Sequence, residues 1–367
     1  MTFNQLKNMR SVICLLLMCG IPTKGLSQEL SAFLINDTSR VQSGGLEQGT
    51  VSRSLFAADI KYELSEYYTV FAQVQAQRGS NGSDLVGDIQ AFSNIDEDNF
   101  TALYEVWLEG TFADTGLRFK LGQVDANSEF AYADHAAEFI NSSMGFSPSV
   151  SYLPTYPDPR ISLNLFYDGL TNSRLGFGIY ADENNKFDEQ FYIAEWQSSI
   201  NQVSFKIGFW QQTGSVERLD EQNDFKNGAN GYYALGEGAL PFTLLSAESV
   251  AWYSQLGMSS SKTSEIDRHL GAGIVLYNVF SLPGHSAGFG VTHIRTSEFL
   301  HQPAQQTMAG LLDAGFQKQE TAFELFYKYE VNQYLSVKPD SQVITSPAAN
   351  KVASDAVVLT LRTELSF

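Results

Sequence analysis

Residues 105–109 read Glu-Val-Trp-Leu-Glu, and Arg118 and Lys120 keep the same every-second spacing a few positions on. In an extended chain, side chains two apart share a face. Glu105, Trp107 and Glu109 would therefore stand together, with Arg118 and Lys120 beside them on a hairpin partner. Acids facing bases across neighbouring strands orient hydroxyl groups and filter ions, while an indole gives an apolar ring face something to lie on. Phe71, Gln73, Gln75 and Gln77 add an aromatic ring and neutral amides at the same spacing. Further candidates for this polar face are Asp59, Lys61, Arg160, Arg174, Lys206, Trp210, Lys328, Lys338 and Arg362.

Bond-breaking chemistry finds less support. Gly284-His285-Ser286-Ala287-Gly288 matches G-x-S-x-G, with His285 and His293 nearby, so a serine esterase is the enzymatic alternative. That motif needs a strand-to-helix turn, and Phe289-Gly290-Val291-Thr292-His293 continues like a strand. The histidines His135, His269, His285, His293 and His301 show neither H-x-x-x-H nor H-E-x-x-H spacing, which argues against catalytic zinc. Asp96-Glu97-Asp98-Asn99 and Asp182-Glu183-Asn184-Asn185 carry oxygen ligands for Ca²⁺ without EF-hand spacing, and read as solvated loops. No catalytic residue, metal or cofactor is expected.

The elements that hold these residues are strands. Phe56, Ala58, Ile60, Tyr62 and Leu64 alternate with Ala57, Asp59, Lys61 and Glu63, and Phe323, Leu325, Tyr327, Tyr329 and Val331 with Glu324, Phe326, Lys328 and Glu330. Val203, Phe205, Ile207 and Phe209 alternate with Ser204, Lys206, Gly208 and Trp210. At the C-terminus Val357, Leu359, Leu361, Leu365 and Phe367 oppose Val358, Thr360, Arg362, Glu364 and Ser366. In 101–113 the same rule sends Tyr104, Val106 and Leu108 outward. About fifteen to seventeen such segments of roughly ten residues follow one another, the length of a tilted membrane strand, with a faint extra one near 38–48. Ser65-Glu66, Asp114-Thr115 and Asn332-Gln333 are tight connections, whereas 79–99, 182–189, 212–228 and 297–318 are long and polar. Outward Tyr68, Tyr167, Tyr192, Tyr327 and Tyr329 suit interface girdles. The expectation is an all-β fold, a transmembrane antiparallel β-barrel of about sixteen strands. A β-sandwich also alternates, but here the polar face carries isolated Gly, Trp and opposite charges, as in a lumen.

Composition agrees. The 41 acidic and 23 basic residues give a net charge of −18, and removing Lys7, Arg10 and Lys24 with a leader takes it to −21, which excludes a partner held by nucleic-acid phosphates. Beyond residue 27 no apolar run exceeds four residues, so no helix of the roughly 20 apolar residues needed to span a bilayer is present. Residues 1–27 read as a secretory signal peptide: Lys7 and Arg10 precede the apolar run 12–21, and Gly25-Leu26-Ser27 suits cleavage before Gln28. Cys14 and Cys19 both fall in that leader, so the single domain 28–367 has no disulfide to stabilise it.

Several ordered blocks resemble one family. Val86-Gly87-Asp88-Ile89-Gln90, Ser93-Asn94-Ile95-Asp96, Leu103 to Glu109, Leu121 to Phe130 and Phe139 to Gly145 are similar to the carbohydrate-selective porin (OprB) family, as are Tyr156-Pro157, Leu335 to Asp340 and Ser346-Pro347. The Trp-Gly-Gly-Leu-Arg block usual before the first strand of that family is missing. The resemblance implies a Gram-negative outer-membrane barrel that passes small sugars inward by passive diffusion. It makes small sugars and outer-membrane lipid the partners, and a final Phe367 resembles the signal read by the barrel-insertion machinery. A general or anion-selective porin is the rival from the same location. No subunit interface is recognisable, so the oligomeric state stays open. If water fills the lumen, Thr360→Arg should be tolerated and Leu361→Arg should not.

Overall fold

The computed structural model describes residues 27–221, 224–299, 318–349 and 353–367. The expected leader, apart from Ser27, and His301 lie outside them. The strands are β1 (Gln28–Gly45), β2 (Thr50–Glu63), β3 (Tyr68–Gly79), β4 (Phe100–Phe112), β5 (Leu117–Val124), β6 (Arg160–Leu170), β7 (Ser173–Tyr180) and β8 (Phe191–Ile200). They continue as β9 (Val203–Glu217), β10 (Phe225–Ala239), β11 (Ser249–Ser259), β12 (Ile266–Tyr277), β13 (His285–Thr296), β14 (Gln319–Asn332), β15 (Leu335–Thr345) and β16 (Ser354–Ser366). Each pairs antiparallel with the next, and β1 closes on β16 from Phe33 opposite Ser366 to Gly45 opposite Ser354. Closure leaves no strand edge, which a sheet in hydrocarbon requires.

Alternation sorts the side chains as expected. On β16, Leu361 points out and is 48% exposed while its neighbour Arg362 points in and is 3% exposed. Leu121, Leu165, Ile207, Leu256, Leu270, Phe289 and Leu325 form the same exposed apolar belt, and Asn164, Lys206, Gln255, Glu324 and Gln342 are buried inside.

One end of the barrel has tight turns. Asn201 and Gln202, both at positive φ, make the two-residue connection between β8 and β9 that matches strand twist. The other end carries the long connections 80–99, 125–159 and 181–190.

Three expectations need correction, and one connection had no reading to correct. The faint strand near 38–48 is β1, 18 residues long and beginning at Gln28. The expected long connection 212–228 is mostly strand: β9 runs to Glu217 and β10 starts at Phe225. Connection 125–159, which the alternation left unassigned, is a long segment folded into the barrel. Tyr104, expected outward, is buried, because the β3–β4 register jumps from Gln73–Glu105 to Val74–Leu103 and leaves it in a bulge.

Candidate pore-lining site

Loop 125–159 leaves β5, crosses the bore and lies against the inner wall. Its Phe130, Ala131 and Val150 pack on Phe166, Tyr180, Phe191, Ile193, Trp210 and Tyr233. Farther along, Ala133, Ala136, Phe139 and Met144 meet Tyr253, Val275 and Phe326. Loop 80–99 sends Val86 and Phe92 onto Val41, Ala322, Ile344 and Val358. Much of the inner wall is therefore a dry core shared with loops.

Backbone groups brought inside need partners, and inward wall side chains supply them. Glu105 accepts from Asp125 N–H at 2.9 Å, Glu195 from Ala131 N–H at 2.9 Å and Glu237 from His135 N–H at 3.1 Å. Glu324 accepts from Ile140 and Asn141 N–H, and Glu320 from Ile89, Gln90 and Ala348 N–H. Loop carbonyls are met in turn: Lys206 donates to Tyr132 O and Lys338 to Glu138 O, each at 2.7 Å. Gln255 donates to Ser143 and Met144 carbonyls, and Gln342 to Phe92 O.

Two charged clusters line the space left open, one on β4 and β5 and one on β14, β16 and β1. On β4 and β5, Arg118 pairs with Glu109 at 2.9 Å and with Glu129 of the inward loop at 2.7 Å. Lys120 also pairs with Glu129 and lies 4.1 Å over the Trp107 ring, which stacks on Phe71 at 4.8 Å. Burial works against ionisation of Glu129, but hydrogen bonds and charge from Arg118 and Lys120 outweigh it and hold the carboxyl below its ordinary range. In the second cluster Lys328 of β14 lies 3.9 Å from Glu138 and 3.8 Å from Glu364. Beside it Arg362 grips Asp37 with two bonds of 2.7 and 2.8 Å and Asn94 at 2.7 Å. Arg53 pairs with Asp96 at 2.7 Å.

Of the residues expected on the polar face, the structure brings Glu109, Arg118, Trp107, Lys120 and Glu105 together, and gathers Lys328, Lys338 and Arg362 on β14, β15 and β16. Glu105 and Lys206 are sealed under the loop as its anchors. Trp210 also points inward but is 0% exposed, wedged between Phe191 and Tyr152. Gln75 donates to Gln73 at 2.8 Å below Asp59, and Gln77 is fully buried. Lys61, paired with Glu29, and Arg174, paired with Asp168, sit near the short-turn mouth, and Arg160, paired with Asp158, stands at the long-loop mouth. Sequence reasoning missed Arg53, Asp37, Glu195, Glu237 and Glu320. Their strand phase would have put them inside, but the loop amides they serve carry no sequence signal.

The folds of loop 125–159, with Asn94 of loop 80–99 at their edge, line a cavity of about 420 Å³; Asp125, Asn127, Ser128, Tyr132, Asp134, Phe146 and Tyr156 are among its lining residues. Amides, hydroxyls, carboxylates and aromatic faces meet there in one place. The model of the carbohydrate-selective porin, OprB family, matches residues 66–237 and 222–367. The chain belongs to that family. This OprB-family chain is a sugar-permeating porin of the bacterial outer membrane. Its fold is similar to the high-pH structure of Pseudomonas putida OprB, with a TM-score of 0.81 and 16% identity over 93% of this chain and 94% of that one. The low-pH structure of the same protein gives 0.60 and 13% over 93% and 92%. Salmonella typhi OmpF in complex with daunomycin gives 0.59 and 10% over 95% and 99%. No curated protein matches this porin in sequence. With short turns on the periplasmic side, the inward loops of the porin enter from outside the cell.

Proposed function

We propose that mono- and small oligosaccharides diffuse passively from the loop-lined cavity past the Phe71–Trp107 stack and the Glu109–Arg118 pair to the periplasm. The cavity lined by loop 125–159 and Asn94 carries this reading, because its lining pairs hydrogen-bonding groups with the rings of Tyr132, Phe146 and Tyr156. Such a surface replaces part of a sugar's hydration while offering its apolar face a partner, without a single tight site. A porin without sugar preference is the rival, and an anion-selective one suits poorly a chain with 41 acids and 23 bases whose lumen bases are mostly ion-paired.

The reading includes no catalysis. Ser286 lies within β13, which continues as strand to Thr296 where the motif needs a helix. His285 and His293 share the outward face, bonded to Tyr327 and Thr321, whereas Ser286 points in. It also takes residues 1–27 as a leader removed before Gln28, and Phe367, exposed beside Tyr334 at the end of the closing strand, as the mark for barrel insertion.

Conductance across a planar bilayer, with and without added sugars, tests the proposal. Concentration-dependent block that weakens in Trp107→Ala and Tyr132→Ala is the expected result. Equal permeation of sugars and size-matched uncharged solutes, unchanged in both variants, would favour the general porin.

A further inference from the structure

We propose that two periplasmic turns, 240–248 between β10 and β11 and 278–284 between β12 and β13, form an apolar foot that beds in the periplasmic leaflet of the outer membrane.

At nine and seven residues these turns are unlike the two-residue polar connections 171–172, 201–202 and 333–334 at the same end. They fold back over the outside of the barrel. Val250, Leu276, Ile274, Ala287 and Tyr327 share strand phase with the exposed belt residues Leu256, Leu270, Phe289 and Leu325, so they face outward. Yet Val250 and Leu276 are 1% and 5% exposed, covered by Ala247, Val279 and Leu240 from the turns. Phe280 N–H donates to Leu245 O, and Ser281 N–H to Ser246 O, tying the two turns into one unit. All four of those residues sit at positive φ, between 49° and 58°, a conformation that bulky Leu and Phe avoid unless the surroundings enforce it.

The outer surface of this unit is apolar. Phe242, Leu244, Leu245, Phe280 and Leu282 are each 43–54% exposed, and no charged residue lies between 240 and 247 or between 278 and 284. The polar groups Ser246, Glu248, Asn278 and Ser281 gather instead around a cleft of about 330 Å³ between the turns. An apolar surface continuous with the lipid belt, with its polar groups segregated, suits the boundary of acyl chains and headgroups. Exposure of this surface to water would be costly, and phospholipid is its occupant.

Nitroxide labels at Phe242→Cys and Leu282→Cys test this, each in protein beginning at Gln28, which has no other cysteine, reconstituted in phosphatidylethanolamine–phosphatidylglycerol bilayers. Neither position has positive φ, and heat-modifiable electrophoretic mobility confirms folding. Leu361→Cys gives the lipid reference and Thr171→Cys the aqueous one. Collision with oxygen relative to a water-soluble nickel chelate should be several-fold above Thr171→Cys at both sites, and below the value at the deeper Leu361→Cys. A ratio like that of Thr171→Cys would overturn the foot. So would dipolar broadening that vanishes on dilution with unlabelled protein, which would assign the surface to a second copy of the chain.

Discussion

Glu324, on β14, accepts the main-chain N–H of Asn141 at 2.9 Å with one oxygen while its other takes that of Ile140 at 2.6 Å. One wall carboxylate thereby fixes the turn of loop 125–159 that carries Phe139 and Met144 against Tyr253 and Phe326. Glu195, Glu237 and Glu105 repeat the arrangement along the same loop. The bore is narrowed by a segment held through its backbone, so its position depends on wall residues far away in sequence.

Replacing Glu324 with Ala leaves two buried amide hydrogens without acceptors, at about 1–3 kcal/mol each. The barrel, closed by strand pairing, should remain folded, while the loop loosens. Liposome swelling should admit larger sugars than the parent does, and limited proteolysis should cut within 125–159. Unchanged swelling and an intact loop would show that the remaining anchors suffice.

Arg362→Ala tests the cluster at the β1–β16 seam. Asp37 is fully buried, and beyond Arg362 it receives a hydrogen bond from Ser93 at 2.6 Å. Removing one partner of a buried pair costs about 3–5 kcal/mol, because the other charge stays behind. Since Asp37 and Arg362 are register partners across the β1–β16 seam, the loss should lower the denaturant midpoint of the whole barrel. The double variant Asp37→Leu, Arg362→Met should recover much of it.

Leu361→Arg should cost about 2–4 kcal/mol of folding into lipid if the residue lies near mid-bilayer. The expectation that Thr360→Arg is harmless needs revision: Thr360 points inward but is buried, its hydroxyl 2.8 Å from Ser39 Oγ. An arginine there has no water to reach. The tolerated control is Gln73→Arg, on a part-open stretch of the inner wall. Folding titrations in vesicles of both variants check the assignment of faces, and equal costs would contradict it.

What could be read from the sequence was whatever the bilayer imposes. Where a strand meets hydrocarbon on one side and polar lumen on the other, as at Leu361 and Arg362, the period of two is plain. It fades where both faces are polar: outward Asn36, Thr38 and Arg40 hid β1, and Thr213 to Ser215 hid the end of β9. Tyr104 was misplaced because a bulge changes phase without changing composition. The inward course of loop 125–159 was illegible for another reason. Its anchors are main-chain amides, which every residue but proline possesses.

The carboxyls of Asp88 and Asp96, both buried and both raised in pKa, bias loop 80–99 with pH in the same direction. Burial, aided by the nearby charge of Asp96, raises the Asp88 carboxyl to about 6 from an ordinary 3.8. The folded loop thus holds a proton that an open loop releases, so by linkage the ordered loop is favoured at low pH and loses that advantage as pH climbs from about 4 to about 6. Glu129 has the opposite sign. Its lowered value stabilises loop 125–159 above its ordinary range and ceases to do so on acidification below it. Hydrogen exchange of amides 82–92, corrected for intrinsic rate, should therefore show protection falling as pH rises through that window, with the dependence flattened in Asp88→Asn. Protection rising with pH in the parent would mean that Asp88 is ionised in the folded loop and stabilised by charges other than those named here.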